Sequence, residues 1–410
     1  MRQLDTWAKT RHHFTAARNG TSMDMDRIRA ETPGAEKVIH LNNCGAGLMP
    51  QPVLDAVIAH LRLEAEIGGY EAEDAAAAAL DNTYGALGKL LNCGLDELAV
   101  VENATVAWDM AFYGLPMGPG DVVLTAVSEY ASNYIAYLQR AARDGIEIRV
   151  VPNDNTGQTD AAALANMIDD RVKLISITHV PTNGGLINPA AAIGKVARDA
   201  GVPYLLDACQ SAGQIPLDVA AIGCDMLSAT GRKFLRGPRG TGFLYVRDSM
   251  LERLDPPFLD LHAAAWTAPE QYEMLPNARR FENWENYVAG KVGLGVAVDY
   301  ALEIGLDAIA QRVQGLADGL RQRMAALPGI TVQDLGAEKS GIISFSVADR
   351  SAEQVAGTFA AANINISTSS AQSTQQDMHH RGIAMMNRMG LHYYNTETEL
   401  DRFMDCLEAI

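Results

Sequence analysis

The sequence predicts an α/β fold: a large domain with a mostly parallel sheet flanked by helices, plus a smaller α+β C-terminal domain. Three observations carry this expectation. Short apolar runs recur through the middle of the chain, helical patterns fill most of the gaps between them, and the runs end in polar or charged residues. Strand–helix alternation of this kind builds a parallel sheet covered on both faces. Its ligands sit in the crevice beyond the strands' C-terminal ends.

In order, the strand candidates are Val122–Val127, Ile148–Val151, Leu174–His179, Tyr204–Asp207, Met226–Ala229 and Gly242–Val246. Asp160–Ile168 and Ala191–Ala200 are the clearest helices between them. The turn Gly237-Pro-Arg-Gly240 couples the last two strands closely, which suits an antiparallel Gly242–Val246. From about Ala289 a long helical stretch leads out of this region. After Pro328 come strand patterns at Ile330–Gln333 and Gly341–Val347, a helix near Ala352–Ala362 and strand-like residues at Ile364–Ser367. Thr396 and Glu399 form a T-x-x-E capping box that opens the last helix. The expected division is an N-terminal arm over 1–40, a large domain over 41–290 and a small domain over 291–410. The segment 1–60 is a candidate to pack with the small domain.

The chain has 410 residues, 48% hydrophobic and 20% charged, as expected of a soluble globular protein. Its 33 basic and 50 acidic residues give a net charge of −17, which argues against nucleic acid or an anionic membrane as partner. No apolar run reaches the ~18 residues of a membrane span. The first residues are polar and lack the apolar core of a secretory signal. Five scattered cysteines, at 44, 93, 209, 224 and 406, show no C-x-x-C and read as reduced, hence cytoplasmic. No H-E-x-x-H pattern appears, and no metal is expected.

The chemistry starts from Lys233, placed after the apolar strand Met226–Ala229 and before a glycine-rich turn. A partly desolvated lysine in a sheet crevice can form a Schiff base with a carbonyl. Asp207, 26 residues earlier, ends another strand, so both side chains can reach the same crevice edge. An acid on a pyridine nitrogen and a lysine on an aldehyde carbon are what pyridoxal 5′-phosphate requires to act as an electron sink.

With these motifs the chain resembles the class V aminotransferase and cysteine desulfurase family of fold-type I pyridoxal-phosphate enzymes, from about His40 to the C-terminus. The resemblance implies that Lys233 carries the cofactor, Asp207 meets the ring nitrogen and Gln210 lies near the ring hydroxyl. It implies phosphate binding by Thr230 and Arg232, and by Ala104 and Thr105 at a helix N-terminus, where free N–H groups favour an anion. Tyr130 aligns with the residue that stacks on the ring. Thr182 or Asn183 takes the place of an asparagine near the ring hydroxyl. Arg388, in Asn387-Arg-Met-Gly-Leu-His-Tyr-Tyr394, corresponds to the arginine that binds a substrate carboxylate. Cys44 and Trp284 are further candidates for the substrate pocket, though Cys44, a small buried residue, suits packing better than chemistry. A homodimer is implied as well.

Two departures bear on the reaction. Desulfurases of the family carry a nucleophilic cysteine on a loop before the C-terminal arginine. The corresponding stretch here, Ile366–Met378, has no cysteine. Where many relatives read Phe-Glu-x-Gly-Thr, this chain has Phe281-Glu-Asn-Trp-Glu285, so the threonine expected at a neighbouring subunit's phosphate is missing. The expected activity is a Schiff-base reaction on an amino acid with α-proton abstraction, leading to β-elimination at a cysteine-derived C–S bond. A class V aminotransferase is the alternative. An epimerase and a non-catalytic pyridoxal-phosphate-binding protein are further readings.

Overall fold

The computed structural model describes residues 23–410. Seven strands form the larger sheet, in the spatial order Leu98–Val101, Gly242–Val246, Met226–Thr230, Tyr204–Asp207, Val172–Thr178, Val122–Ala126 and Glu147–Val151. Only Gly242–Val246 runs against the others, pairing antiparallel with both of its neighbours. Most of these strands are buried throughout because both faces are covered. Alternate residues feed two cores. Leu124, Ile175, Leu206, Leu227 and Phe243 join one with helices Ala77–Leu91, Ala190–Ala200 and Val288–Ile304. Val123, Leu174, Leu205, Met226 and Leu244 join the other with Ala104–Gly114 and Ala131–Asp144.

The chain runs from Val122–Ala126 to the edge strand Glu147–Val151, then crosses back to Val172–Thr178 on the other side. The order therefore reverses beside Val122–Ala126, and the loops beyond the C-terminal ends of the neighbouring strands frame a crevice. Turn residues 128–130, 179–183, 207–210 and 230–233 all lie at this edge.

The C-terminal domain has a four-stranded antiparallel sheet in the order Ile330–Val332, Ile342–Val347, Met385–Gly390 and Ser367–Ser370. Helices Leu306–Ala325, Ala352–Ala361 and Glu397–Glu408 pack on it through Leu320, Phe359 and Phe403. Thr396 caps the last of them, reciprocally with Glu399. The N-terminal segment joins here: Ile39–His40 pairs in parallel with Ile364–Asn365, and Ile39 and Leu41 enter the same core. The segment expected as an arm is thus structured from the helix Met25–Ala30 onward; its residues 1–22 lie outside the described residues. The strand expected at Ile364–Ser367 divides into Ile364–Asn365 and Ser367–Ser370, each serving a different sheet. A hairpin of Ala264–Ala268 and Gln271–Met274 has no counterpart in the sequence reading, since its strands are mostly exposed and lack apolar alternation.

Candidate active site

A cavity of about 450 Å³ opens at the crevice edge, lined by Ala104, Thr105, Tyr130, Thr182, Asp207, Gln210, Thr230, Arg232 and Lys233, with Cys209 and Thr178. Nine of the residues singled out in the sequence therefore share one wall. Strand ends deliver most of them, because parallel strands terminate at a common edge.

Lys233 follows strand Met226–Thr230, and burial holds its amine below the ordinary lysine pKa. Nearby Arg232 and Arg388 act in the same direction, while Cys209 and Asp207 oppose them. Asp207 is buried at the end of its strand. Its Oδ1 accepts the Cys209 backbone N–H at 2.8 Å, and its Oδ2 accepts Asn133 Nδ2 at 3.1 Å. Each oxygen keeps acceptor capacity beyond these bonds.

Ala104 and Thr105 begin the helix Ala104–Gly114, which Asn103 caps by accepting the Val106 N–H at 3.0 Å. Gly242 permits the close approach of its strand here, since a Cβ would stand 2.5 Å from the Asn103 carbonyl carbon and 2.8 Å from the Ala104 nitrogen. Thr230 Oγ1 donates to Thr241 O at 3.3 Å. Arg232 donates to the Gly45 carbonyl, which fixes its guanidinium at the cavity wall. Tyr130 starts the helix Ala131–Asp144 and leaves 36% of its surface open, in keeping with a ring that faces the cavity.

Thr182 and Asn183 separate clearly. Thr182 lines the cavity, and its carbonyl and hydroxyl oxygens accept Arg388 Nη1 at 2.7 and 2.8 Å. Asn183 turns to the C-terminal domain and donates to Asp377 at 2.7 Å. Arg388 comes from the smaller sheet and lies outside the cavity lining, touching it through Thr182; its Nε also donates to Ser367 Oγ at 3.2 Å. Cys44 lies outside the cavity lining, packed with Val180, Phe234 and Ile342. Its small side chain fits the close approach of Gly390, where a Cβ would stand 2.9 Å from the Cys44 Cβ. Trp284 also lies outside the lining; it is 48% exposed, and its backbone N–H donates to Asp260 at 2.7 Å.

Three residues were missed. Cys209 lines the cavity beside Asp207, and Glu129 and Asn133 stand behind it. The i,i+4 spacing of Glu129 and Asn133 was the available signal, but a strand-to-helix turn hid it.

The aminotransferase class-V family model matches residues 39–403. The chain belongs to the class-V aminotransferase family. A probable cysteine desulfurase from Xylella fastidiosa is 30% identical, with 96% of this chain and 97% of that protein covered. An apo cysteine desulfurase from Thermococcus onnurineus superposes with a TM-score of 0.88 at 22% identity, covering 96% and 99% of the two chains. A cystine C–S lyase, solved with its product cysteine persulfide, gives a TM-score of 0.83 at 24% identity, covering 92% and 99%. The enzyme is accordingly a pyridoxal-phosphate enzyme related to cysteine desulfurases, acting on an amino-acid substrate through Schiff-base chemistry.

The enzyme's residues fit that cofactor. An aldehyde-reactive amine, a carboxylate and a helix N-terminus with an arginine nearby face one cavity, the donor set that a protonated pyridine with a phosphate arm requires. Gln210 shows the same need: its Nε2 donates to Cys44 O at 3.1 Å, while its buried Oε1 has no partner. A ring hydroxyl would satisfy it.

Proposed function

We propose that the enzyme is a β-eliminating lyase that cleaves the C–S bond of a cysteine-derived amino acid. The observation that carries this reading is the Ile366–Met378 stretch, which the family resemblance sets at the place of the desulfurase cysteine loop and which holds no cysteine. Cys209 does not replace that nucleophile. Burial, reinforced by Asp207, pushes its pKa up to about 12, so it stays a thiol at neutral pH. Cys406 sits on the terminal helix Glu397–Glu408. The fold is shared with a cystine C–S lyase, which supports the same chemistry.

In this reading Lys233 holds the cofactor aldehyde and Asp207 keeps the pyridine nitrogen protonated. Gln210 and Thr182 would meet the ring hydroxyl, and Tyr130 would stack on the ring. Ala104, Thr105, Thr230 and Arg232 hold the phosphate. The bound cofactor supplies an electron sink for the pair left when the Cα–H bond breaks. Arg388, fixed by Thr182 and Ser367, binds the substrate carboxylate. Lys233 Nζ, freed when the substrate amine takes its place, would take the α-proton, the Cβ–S bond would break with its electron pair on sulfur, and the sulfur product would leave. The released 2-aminoacrylate adds water to give pyruvate and ammonium.

We also propose residues 41–290 as the cofactor-binding domain and 291–410 as the smaller domain, with the described part of the N-terminal segment packing on the latter. A homodimer is supported by a set of exposed large apolar side chains: Leu54, Ile58 and Leu61 on helix Gln51–Ile67, with Tyr70, Trp266 and Trp284. All five cysteines are free, which favours a reducing, cytoplasmic setting. Among the described residues, no helix is long and apolar enough to cross a membrane.

The test is amino-acid turnover without added keto acid. Pyruvate and ammonium formed from cysteine S-conjugates support the lyase. Turnover that appears only with a keto acid overturns it in favour of amino-group transfer.

A further inference from the structure

Behind Asp207 lies a second buried carboxyl group that the reaction above leaves unused. Glu129 is 3% exposed, and no basic side chain pairs with it among the described residues. Its Oε1 accepts the Tyr130 N–H at 2.9 Å, Asn133 Nδ2 at 2.9 Å and the Thr178 hydroxyl. Its Oε2 lies 2.9 Å from Thr125 Oγ1, a contact that accommodates a proton on either oxygen. The same Asn133 Nδ2 reaches Asp207 Oδ2 at 3.1 Å. One amide thus bridges two buried carboxyl groups.

A like charge so near disfavours ionisation of Glu129. Burial, with Asp207 adding to it and the Thr178 hydroxyl opposing, pushes Glu129 up to about 7. The other titratable groups facing Glu129 are Tyr137, on the helix that follows it, and Tyr204, on the Asp207 strand; both are neutral and held there by burial. Asp207 is the member that opens on the cavity.

We propose that Glu129 is a positioning residue for the cofactor: through Asn133 it fixes the orientation of the Asp207 carboxylate toward the place of the pyridine nitrogen. The positioning chain is then Glu129–Asn133–Asp207, with Tyr130, the next residue after Glu129, tied to the same carboxyl through its backbone N–H. The inference rests on the cofactor reading above.

The experiment compares wild type, Glu129→Gln, Glu129→Leu and Asn133→Ala, each stripped of cofactor and titrated with pyridoxal 5′-phosphate. The readouts are the dissociation constant and the visible absorbance of the bound cofactor from acid to alkaline pH, with circular dichroism as the check on folding. Glu129→Gln keeps a neutral acceptor in place and is expected to bind within about threefold of wild type, a difference under 1 kcal/mol. It should also lose the spectral change that wild type shows as Glu129 ionises. Glu129→Leu and Asn133→Ala release the bridge and should bind about tenfold more weakly or worse, the loss of a hydrogen bond to a charged group. If Glu129→Leu does not fold, the other two variants decide. Binding and pH titration like wild type in Asn133→Ala and Glu129→Gln overturn the inference, as does a Glu129→Gln that loses the cofactor. A wild type that fails to bind the cofactor would instead overturn the reading on which the inference rests.

Discussion

Arg388→Gln removes a guanidinium that reaches Thr182, on the cavity wall, from the smaller sheet. Its Nη1 is engaged by both oxygens of Thr182, and its Nε by Ser367. Those bonds leave Nη2 to meet a substrate carboxylate, together with the fixed charge. A charge-assisted hydrogen bond of about 1.5–3 kcal/mol is then at stake. At about 1.4 kcal/mol per tenfold, kcat/KM should fall about 10- to 100-fold. Arg388→Lys keeps the charge without the planar fork and should lose about tenfold, near 1.4 kcal/mol. The assay is steady-state kinetics on the best amino acid, alongside cofactor affinity and absorbance. The reasoning requires these last two to stay as in wild type. An Arg388→Gln enzyme within about threefold of wild-type kcat/KM, less than 1 kcal/mol, would refute it.

Further outcomes follow from the same geometry. Lys233→Ala should abolish the pH-sensitive Schiff-base absorbance, while the helix N-terminus, Arg232 and Asp207 still retain the cofactor noncovalently; a retained band would place the attachment elsewhere. In wild type stripped of cofactor, Schiff-base formation should rise with pH and level off below the ordinary lysine range near ~10.4, because burial lowers the Lys233 pKa and only the free amine reacts. A stopped-flow pH profile checks this. Arg236 is 1% exposed and donates to Leu48 O at 2.7 Å, Tyr393 OH at 2.8 Å and Thr32 Oγ1 at 2.6 Å. Arg236→Leu should cost about 2–4 kcal/mol in urea unfolding through the acceptors it abandons. His179 is held near 4 and His392 well below its usual value, both by burial. Unfolding lets both take up protons, so stability is fully present above the unfolded histidine pKa of ~6.5 and falls as pH drops below it. Urea titrations at stepped pH measure that slope.

Much of the fold was legible because its strands are buried on both faces and therefore read as uninterrupted apolar runs. Tyr204–Asp207 and Gly242–Val246 match the sequence reading residue for residue. The strand ends also announced Asp207 and Lys233, since a charge after an apolar run has few other places to go. The smaller sheet was harder. Asn365 and Ser367 belong to strands in two different sheets, and one continuous pattern concealed the break. The hairpin over 264–274 was invisible because its side chains are mostly exposed. In the site, sequence reasoning found the residues that face the cavity but left Thr182 and Asn183 unresolved. What separates them is tertiary: Arg388 comes from one side and Asp377 from another. Glu129 escaped for the same reason, since its meaning depends on Asn133 reaching Asp207 across 74 positions of sequence.

The central claim is β-elimination without a cysteine nucleophile, and the most direct measurement is the product balance with a panel of cysteine, its S-conjugates and its sulfoxides, in the absence of any keto acid. The account predicts pyruvate and ammonium in equal amounts with release of the sulfur leaving group, undiminished in a Cys209→Ala enzyme. Failure of every cysteine derivative to give pyruvate, with turnover restored by adding a keto acid, would contradict it.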